Sequence, residues 1–196
     1  FFFFFFFFFF FFFIGYVVTE WLSPEPVTLH VEKRLPDSVV PHVIRQIASA
    51  LDHMHSLDIV HRELRPGNVL LQRHEGQDVP MVKLRGAGLT QLVHSQPGWK
   101  ATESPQLPYS PPEFFKEHGR CHPSFDVYSL GMVWAFVLTG NEPFAGMGFF
   151  KLRTTITTAK DIAGRVAPGA PPLLAQCLGY DLLGRMKALK ILAKQH

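Results

Sequence analysis

The residues best suited to do chemistry lie close together, between His61 and Asn68. This stretch reads His-Arg-Glu-Leu-Arg-Pro-Gly-Asn, so a carboxylate, two guanidinium groups and a carboxamide fall within eight positions. Carboxylate and carboxamide oxygens are hard donors of the kind that Mg²⁺ prefers, and a guanidinium group pairs well with phosphate. The segment therefore indicates a site that positions and neutralises charge.

The order of these residues resembles the catalytic loop of protein kinases, whose pattern is H-R-D-L-x-x-x-N. Glu63 stands where that pattern has Asp, and the other fixed positions match. Further segments resemble later signatures of the family, in the same order. They are 86–88 at the D-F-G position, 109–113 at the A-P-E element, 126–131 at the start of the central helix, and 177–185 at the closing C-L-x-x-D-x-x-x-R signature. The resemblance covers roughly Tyr16 to Leu192 and favours the Ser/Thr type, since residues 65–67 resemble its K-P-E form.

The resemblance implies a role for each position of the catalytic loop. Glu63 would accept the hydrogen bond of the incoming hydroxyl, Arg65 would contact the transferring phosphate, and Asn68 would be the second metal ligand. Gly86 takes the place of the principal metal-binding Asp and has no side chain that could bind a metal ion, while Ala87 replaces the Phe of the triplet. An alternative for Glu63 is a solvated or structurally paired carboxylate.

Other matched positions are implied to hold the fold or the nucleotide. Glu113 and Arg185 resemble a buried ion pair that ties the activation segment to the end of the lobe. Asp126 resembles the helix acid that holds the catalytic-loop backbone, His61 belongs to the same loop, and Arg62 resembles the cation that pairs with a phosphorylated activation loop. The adenine platform is implied to include Glu20, Leu22 and Leu70.

Hydrophobic periodicity predicts the elements that would carry these residues. We expect strands at 16–22, 67–72 and 81–85, and a break in regular structure at Pro24 and Pro26. We expect helices from a cap at Asp37 or Ser38 to about His55, over 124–138, and near 146–156, 171–178 and 184–194, with 90–110 as a loop. The helix over 124–138 is apolar on most faces and should be buried, with Gly140 closing it.

These elements predict an α+β fold that is mainly α-helical. Its architecture would be a protein-kinase-like C-terminal lobe with one strand and the hinge of the N-terminal lobe.

Composition limits the class of protein. The chain has 196 residues, 47% of them hydrophobic and 18% charged, which suits one domain with a sizeable core. The formal net charge is +3 and no basic run is concentrated enough to indicate nucleic-acid binding. Two cysteines far apart in sequence favour free thiols in a reducing, intracellular and cytoplasmic setting. The segment His118-x-x-Cys121-His122 lacks a fourth ligand for zinc.

The first thirteen residues are all Phe. We interpret residues 1–13 as the product of translation through a thymine-rich tract, with a hydrophobic anchor as the rival interpretation, and leave them out of the fold. Residues 14–196 are then expected to be a partial kinase-like domain, hinge plus large lobe, without the small lobe.

Three hypotheses about function remain. The first is a pseudokinase-like binding or scaffold module with protein partners, in which binding of ATP and Mg²⁺ is weak or absent. The second is a Ser/Thr protein kinase whose small lobe is missing from this sequence. The third is a truncated product without stable function, whose open face would expose Val69 and Leu70. No membrane partner is expected unless the Phe run is an anchor.

Overall fold

The computed structural model describes residues 35–73, 76–87, 106–115 and 122–194, together with the backbone of residues 4–5, 16–17 and 25–26. The strands are β1 (Phe4–Phe5), β2 (Tyr16–Val17), β3 (Glu25–Pro26), β4 (Val69–Gln72) and β5 (Met81–Leu84). The α-helices are α1 (Val40–Ser56), α2 (Ser124–Thr139), α3 (Phe149–Thr158), α4 (Ile162–Val166), α5 (Pro172–Cys177) and α6 (Leu182–Lys194). Short 3₁₀ turns cover Pro66–Asn68, Leu107–Tyr109 and Pro112–Phe115.

Helix α2 is the centre of the fold because its sequence is apolar on most faces. All its residues from Ser124 to Val137 are buried, and α1, α5 and α6 pack around it. Gly140 ends the helix in the left-handed conformation, with φ of 72°, and donates a hydrogen bond to the carbonyl of Phe136 at 2.8 Å. The predicted helix and its glycine stop are confirmed.

Helix α1 is amphipathic, and its apolar stripe faces the core. The buried residues of that stripe are Val40, Val43, Ile44, Ile47, Ala48 and Leu51. The predicted cap at Asp37 or Ser38 is wrong, because Val39 occupies the N-cap position and no side chain caps the helix. A turn closed by the carbonyl of Pro36, which accepts from the N–H of Val39 at 2.8 Å, leads into the helix instead.

Strands β3, β4 and β5 form an antiparallel sheet in that order, with Leu70 opposite both Pro26 and Lys83. The predicted break at Pro26 is therefore wrong. Pro26 lies in an edge strand, where a missing N–H is tolerated on the unpaired side. Strand β4 starts later than the predicted residue 67 because residues 66–68 form a 3₁₀ turn.

A second, two-stranded sheet pairs β1 with β2, with Phe4 opposite Val17. The Phe run that we left out of the fold thus contributes a strand to the structure. The rest of the predicted strand 16–22 and the predicted hinge lie outside the described residues.

The remaining helices follow the prediction, with one addition. Helices α3, α5 and α6 fall near the expected ranges, whereas α4 was not predicted. Asp161 caps α4 by accepting from the N–H of Gly164 at 2.8 Å. The expected exposure of Val69 and Leu70 is wrong, since both side chains are buried. Within the described part of the chain, no helix has both the length and the apolar character needed to cross a bilayer.

Candidate catalytic site

The carboxylate of Asp126 holds the start of the loop that carries the site. It accepts hydrogen bonds from the backbone N–H groups of His61 and Arg62, each at 2.8 Å, and lies 2.8 Å from the Nε2 atom of His55. Asp126 is fully buried in the first turn of α2. Arg62 has a φ of 70°, a left-handed conformation that is uncommon for a residue with a side chain. The two backbone bonds to one rigid carboxylate therefore fix a strained turn in place.

The buried imidazole of His61 organises the next turn of the loop. Its Nδ1 atom accepts a hydrogen bond from the N–H of Glu63 at 3.2 Å, which requires a ring that is unprotonated at Nδ1. Burial lowers the pKa of His61 below its ordinary value of 6.5, although the charges of Asp126 and Glu63 act in the opposite direction. The neutral ring is thus the form that the fold accommodates.

Asn68 and Glu63 meet at Gly86. The Nδ2 atom of Asn68 donates to the backbone carbonyl of Glu63 at 2.7 Å, and the carbonyl of Asn68 accepts from the N–H of Arg85 at 3.0 Å. A Cβ atom built on Gly86 would lie 3.3 Å from Asn68 Nδ2 and 3.7 Å from Glu63 Oε2. The structure therefore brings the carboxylate and the carboxamide of the loop to a residue 23 positions after Glu63 that offers no side chain.

Arg65 and Leu70 lie on either side of Asn68 in sequence. The guanidinium group of Arg65 folds over Gly67, whose would-be Cβ lies 2.7 Å from its Nη1 atom. A Cβ at position 67 would make the end of the Arg65 side chain move, so the present position of the guanidinium group depends on the absence of a side chain there. Leu70 is buried in the middle strand of its sheet.

Glu113 and Arg185 form a buried ion pair that contacts α2 through Tyr128. The Arg185 guanidinium group is fully buried; its Nη1 and Nη2 atoms bind the two carboxylate oxygens of Glu113, and its Nε atom donates to the carbonyl of Gly179 at 2.6 Å. The same group lies over the ring of Tyr128, 5.1 Å from the ring centroid. One cation thus ties the turn 112–115, helix α2 and helix α6 together.

A sequence model of the protein kinase domain matches residues 15–196. The chain belongs to the protein kinase family. Among curated proteins it is similar to the serine/threonine-protein kinase ULK3 of Xenopus laevis, 29% identical over 184 residues that cover 91% of this chain and 38% of that protein. It is also similar to the SNF-related serine/threonine-protein kinase of Rattus norvegicus, 31% identical over 152 residues that cover 76% of this chain and 20% of that protein.

A third similarity is to an Aurora kinase of Debaryomyces hansenii, 33% identical over 119 residues, which cover 59% of this chain and 27% of that protein. The chain therefore spans well under half the length of these curated relatives.

Protein kinases use ATP and Mg²⁺, and two metal-binding side chains hold the ions beside the phosphates. In this kinase domain Asn68 is present at one of those positions, but Gly86 has nothing to bind a metal ion at the other. No group of three or more acidic, histidine or cysteine side chains that could hold a metal occurs among the described residues. Asp78 is exposed in the loop before β5. At the two positions that the resemblance assigns to the ions, the chain supplies the Asn68 carboxamide and no carboxylate.

The position of Ala87 shows a second departure. Ala87 is exposed, whereas the Phe that the family places there packs against the catalytic-loop His. The other predicted site residues Glu20 and Leu22 lie outside the described residues, as do Gly88, His118 and Cys121. Cys177 is a free, buried thiol, and burial raises its pKa to about 12.

Several contacts in and near the site were not evident from the sequence. His55 was not singled out, although it shares the Asp126 carboxylate with the catalytic loop. Tyr109 donates to the Glu142 carboxylate at 2.6 Å, and burial together with this bond raises the pKa of Tyr109 far above its ordinary value. The carbonyl of Tyr109 accepts from the hydroxyl of Ser129 at 2.8 Å. These partners are separated by 20 or more positions, so no local pattern could have revealed them.

Proposed function

We propose that this chain is a catalytically impaired kinase domain, a pseudokinase, that acts by binding other proteins. The observation that carries the proposal is Gly86, which faces Asn68 and the Glu63 carboxylate without a side chain. Mg²⁺ in phosphate sites is bound through one or two carboxylates together with the phosphates. Without the carboxylate at position 86, the charge of the β- and γ-phosphates is poorly neutralised, and phosphoryl transfer is mostly positioning and neutralisation.

Glu63 adds a second reason. Its side chain is one methylene longer than that of Asp, so its carboxylate is displaced by roughly 1 Å from the place where the incoming hydroxyl would need it, a displacement that can lower a rate about 10²-fold. Glu63 alone would weaken catalysis and not abolish it. Together with Gly86 it affects both the nucleophile and the metal.

The positions that keep the fold are intact in the same chain. Asp126 holds the catalytic-loop backbone and Arg185 pairs with Glu113. The differences from the kinase pattern, at Glu63 and Gly86, are at positions that the family uses for catalysis. A sequence that keeps the residues that hold the fold and lacks the metal-binding carboxylate supports a role in which the surface of the domain binds other proteins. Proteins are the proposed partners, in an intracellular setting.

Nucleotide binding by the purified chain tests the proposal. Isothermal titration with ATP in the presence of Mg²⁺ and in the presence of EDTA should give weak or no binding, with no strengthening by Mg²⁺. Transfer of γ-phosphate to the chain itself or to casein should not exceed the level of a mock purification. Binding that strengthens with Mg²⁺, or transfer above that level, contradicts the proposal.

Two variants at one position isolate the missing carboxylate. Gly86→Asp restores it, and Gly86→Asn is the matched control, because Asn has the same shape without the charge and tolerates a positive φ. The backbone at Gly86 has a φ of 84°, so both variants carry the same conformational cost. Mg²⁺ should strengthen ATP binding in Gly86→Asp and leave Gly86→Asn unchanged.

A second candidate function is an ATP-dependent Ser/Thr protein kinase. The observation that favours it is the cluster of Glu63, Arg65 and Asn68, which retains a carboxylate, a cation and a carboxamide in one loop. This candidate predicts transfer that depends on Glu63. Loss of γ-phosphate transfer in Glu63→Gln would favour the enzyme over the binding module.

A further inference from the structure

Helix α3 (Phe149–Thr158) presents an aromatic ring to solvent. Phe150 is 80% exposed, more than any other large apolar side chain of the described residues. The ring of Phe149 lies 5.5 Å from it, edge-on, and 6.5 Å from the ring of Phe115, which meets Phe114 at 5.3 Å. Phe150 is therefore at the exposed end of a series of aromatic rings in contact with one another. Aromatic residues, Phe among them, are enriched in protein interfaces relative to the rest of the surface.

The charged side chains of helix α3 are all cations. Lys151 and Arg153 are exposed on the same helix, and the sequence from Pro143 to Lys160 contains no Asp or Glu. Residues three positions apart are neighbours on a helix surface, so Arg153 lies beside Phe150. The preceding acid, Glu142, already accepts the hydroxyl of Tyr109. The exposed side of α3 is thus a basic surface around one ring.

The threonines of this surface do not need an external partner. The hydroxyl of Thr157 donates to the carbonyl of Arg153 and that of Thr158 to the carbonyl of Thr154, each at 2.8 Å. Hydroxyls that bond back to the helix add little demand for polar contacts. Recognition at this surface would depend on the ring and the cations.

A cavity of about 450 Å³ adjoins the same helix. Thr155 of α3 forms part of its wall, and Pro143, Phe144, Met147 and Val166 supply apolar walls. Arg165 and Glu142 also line it, so its charged residues have opposite signs. This volume lies within the range of about 300–1,000 Å³ that is usual for ligand pockets. Phe144 has a φ of 59°, so the wall includes a strained backbone of the kind found at binding sites.

We propose that this α3 surface, made of Phe150, Lys151 and Arg153 with the adjoining cavity and Arg165, binds an acidic segment of a partner protein. Acidic side chains of the segment meet the three cations, and an apolar side chain of the segment enters the cavity. The inference rests on the binding role in the proposed function and not on the loss of phosphoryl transfer.

The geometry favours a protein over a membrane or a nucleic acid. A helix that binds a membrane inserts its apolar face, but Leu152 and Ile156 of α3 are buried in the protein. Nucleic-acid affinity depends on neutralising many phosphates, and three cations neutralise few. A short acidic segment matches both the number of charges and the single ring.

Peptide selection against the whole chain tests the inference without knowledge of the partner. A phage-displayed library of random dodecapeptides is panned on the immobilised chain, and the enriched peptides are measured by fluorescence anisotropy. We expect peptides rich in Asp and Glu around an aliphatic or aromatic residue, with binding that weakens at high salt. Oligouridylate and phosphatidylserine vesicles are measured in parallel and should bind more weakly than the peptides.

Variants assign the binding to this surface. Lys151→Glu combined with Arg153→Glu should weaken the enriched peptides roughly tenfold or more, since two attractive contacts become repulsive. Phe150→Ala should weaken them by a similar factor. The matched control is Lys187→Glu with Lys194→Glu, which makes the same charge change on exposed positions of α6. The control should bind normally, and circular dichroism checks that each variant is folded.

Several results would overturn the inference. They are an absence of enriched peptides, enrichment without acidic residues, equal weakening by the α6 control, or preferred binding of oligouridylate or vesicles. Phosphate transfer by the wild-type chain with peptide binding intact would overturn the proposed loss of catalysis and leave this surface standing. Selected peptides without an acidic preference, together with no detectable phosphate transfer, would overturn the proposed binding surface and leave the proposed loss of catalysis standing.

Discussion

The Oε2 atom of Glu63 lies 3.7 Å from the place where a Cβ would stand on Gly86. The longer carboxylate of the catalytic loop thus reaches toward the space that a metal-binding Asp side chain would fill. The two departures from the kinase pattern are therefore neighbours in space, and each affects what the other position can tolerate.

Restoring Asp at position 86 should cost stability while Glu63 is present. The new carboxylate would face that of Glu63, so we expect Gly86→Asp to be less stable than Gly86→Asn by on the order of 1 kcal/mol at low salt. The free energy of urea unfolding measures the difference. Millimolar Mg²⁺ should reduce it, because the ion neutralises the paired carboxylates, and Glu63→Asp should also reduce it by shortening the reach. Equal stability of the Asp and Asn variants in every condition would show that Glu63 does not approach position 86.

Breaking the Glu113–Arg185 pair should strongly destabilise the domain. Glu113→Gln leaves the fully buried guanidinium group of Arg185 without its counter-ion, and we expect a loss of about 3–5 kcal/mol in the free energy of unfolding. The control is Asp52→Asn, which breaks the exposed pair of Asp52 with Lys190, 2.9 Å long. That change should cost less than about 1 kcal/mol. Similar losses for both variants would contradict the structural role of Arg185.

Asp126→Asn should destabilise the catalytic loop without changing the size of the side chain. An amide offers one acceptor oxygen in place of two, so it cannot serve the N–H groups of His61 and Arg62 and the ring of His55 together. We expect a loss of about 2–3 kcal/mol, measured by urea unfolding. Asp161→Asn is the matched control, because Asn also caps helices well and the change should cost only a few tenths of a kcal/mol. An Asp126→Asn loss as small as that of the control would argue against the three-bond arrangement.

Acid should destabilise the domain through His61. Burial lowers the pKa of His61 in the folded state below the unfolded value of about 6.5, so the unfolded chain binds the extra proton first. The stability contribution is then present above the unfolded pKa and is lost as the pH falls below it, by up to about 1.4 kcal/mol per pH unit. Urea midpoints from neutral to mildly acidic pH measure the slope. His61→Gln should flatten it, whereas exposed His53→Gln should leave it unchanged; a slope that persists in His61→Gln would assign it to other groups.

Motif order and hydrophobic periodicity were enough to predict the family resemblance and most helices of this domain. Helix α2 was predictable because fourteen consecutive buried residues leave an unmistakable apolar stretch, and Gly140 marks its end. Helix α4 was missed because it spans five residues and contains Gly164, too short for a periodic pattern. The edge strand at Pro26 was missed because a proline normally argues against a strand, and only the partner strand β4 decides otherwise.

The contacts that hold the site depend on how the helices and the sheet pack together. The order of the motifs identified Glu63, Asn68 and Gly86 as candidate site residues. It could not show that the Glu63 carboxylate lies beside Gly86, or that His55 contacts Asp126. Such contacts join positions far apart in the chain, and their geometry depends on how α1, α2 and the sheet pack. Local propensity acts over a few residues, whereas side-chain contacts between elements arise only after the apolar faces have been buried. For that reason the candidate residues could be predicted from the sequence, whereas the distances between their side chains could not.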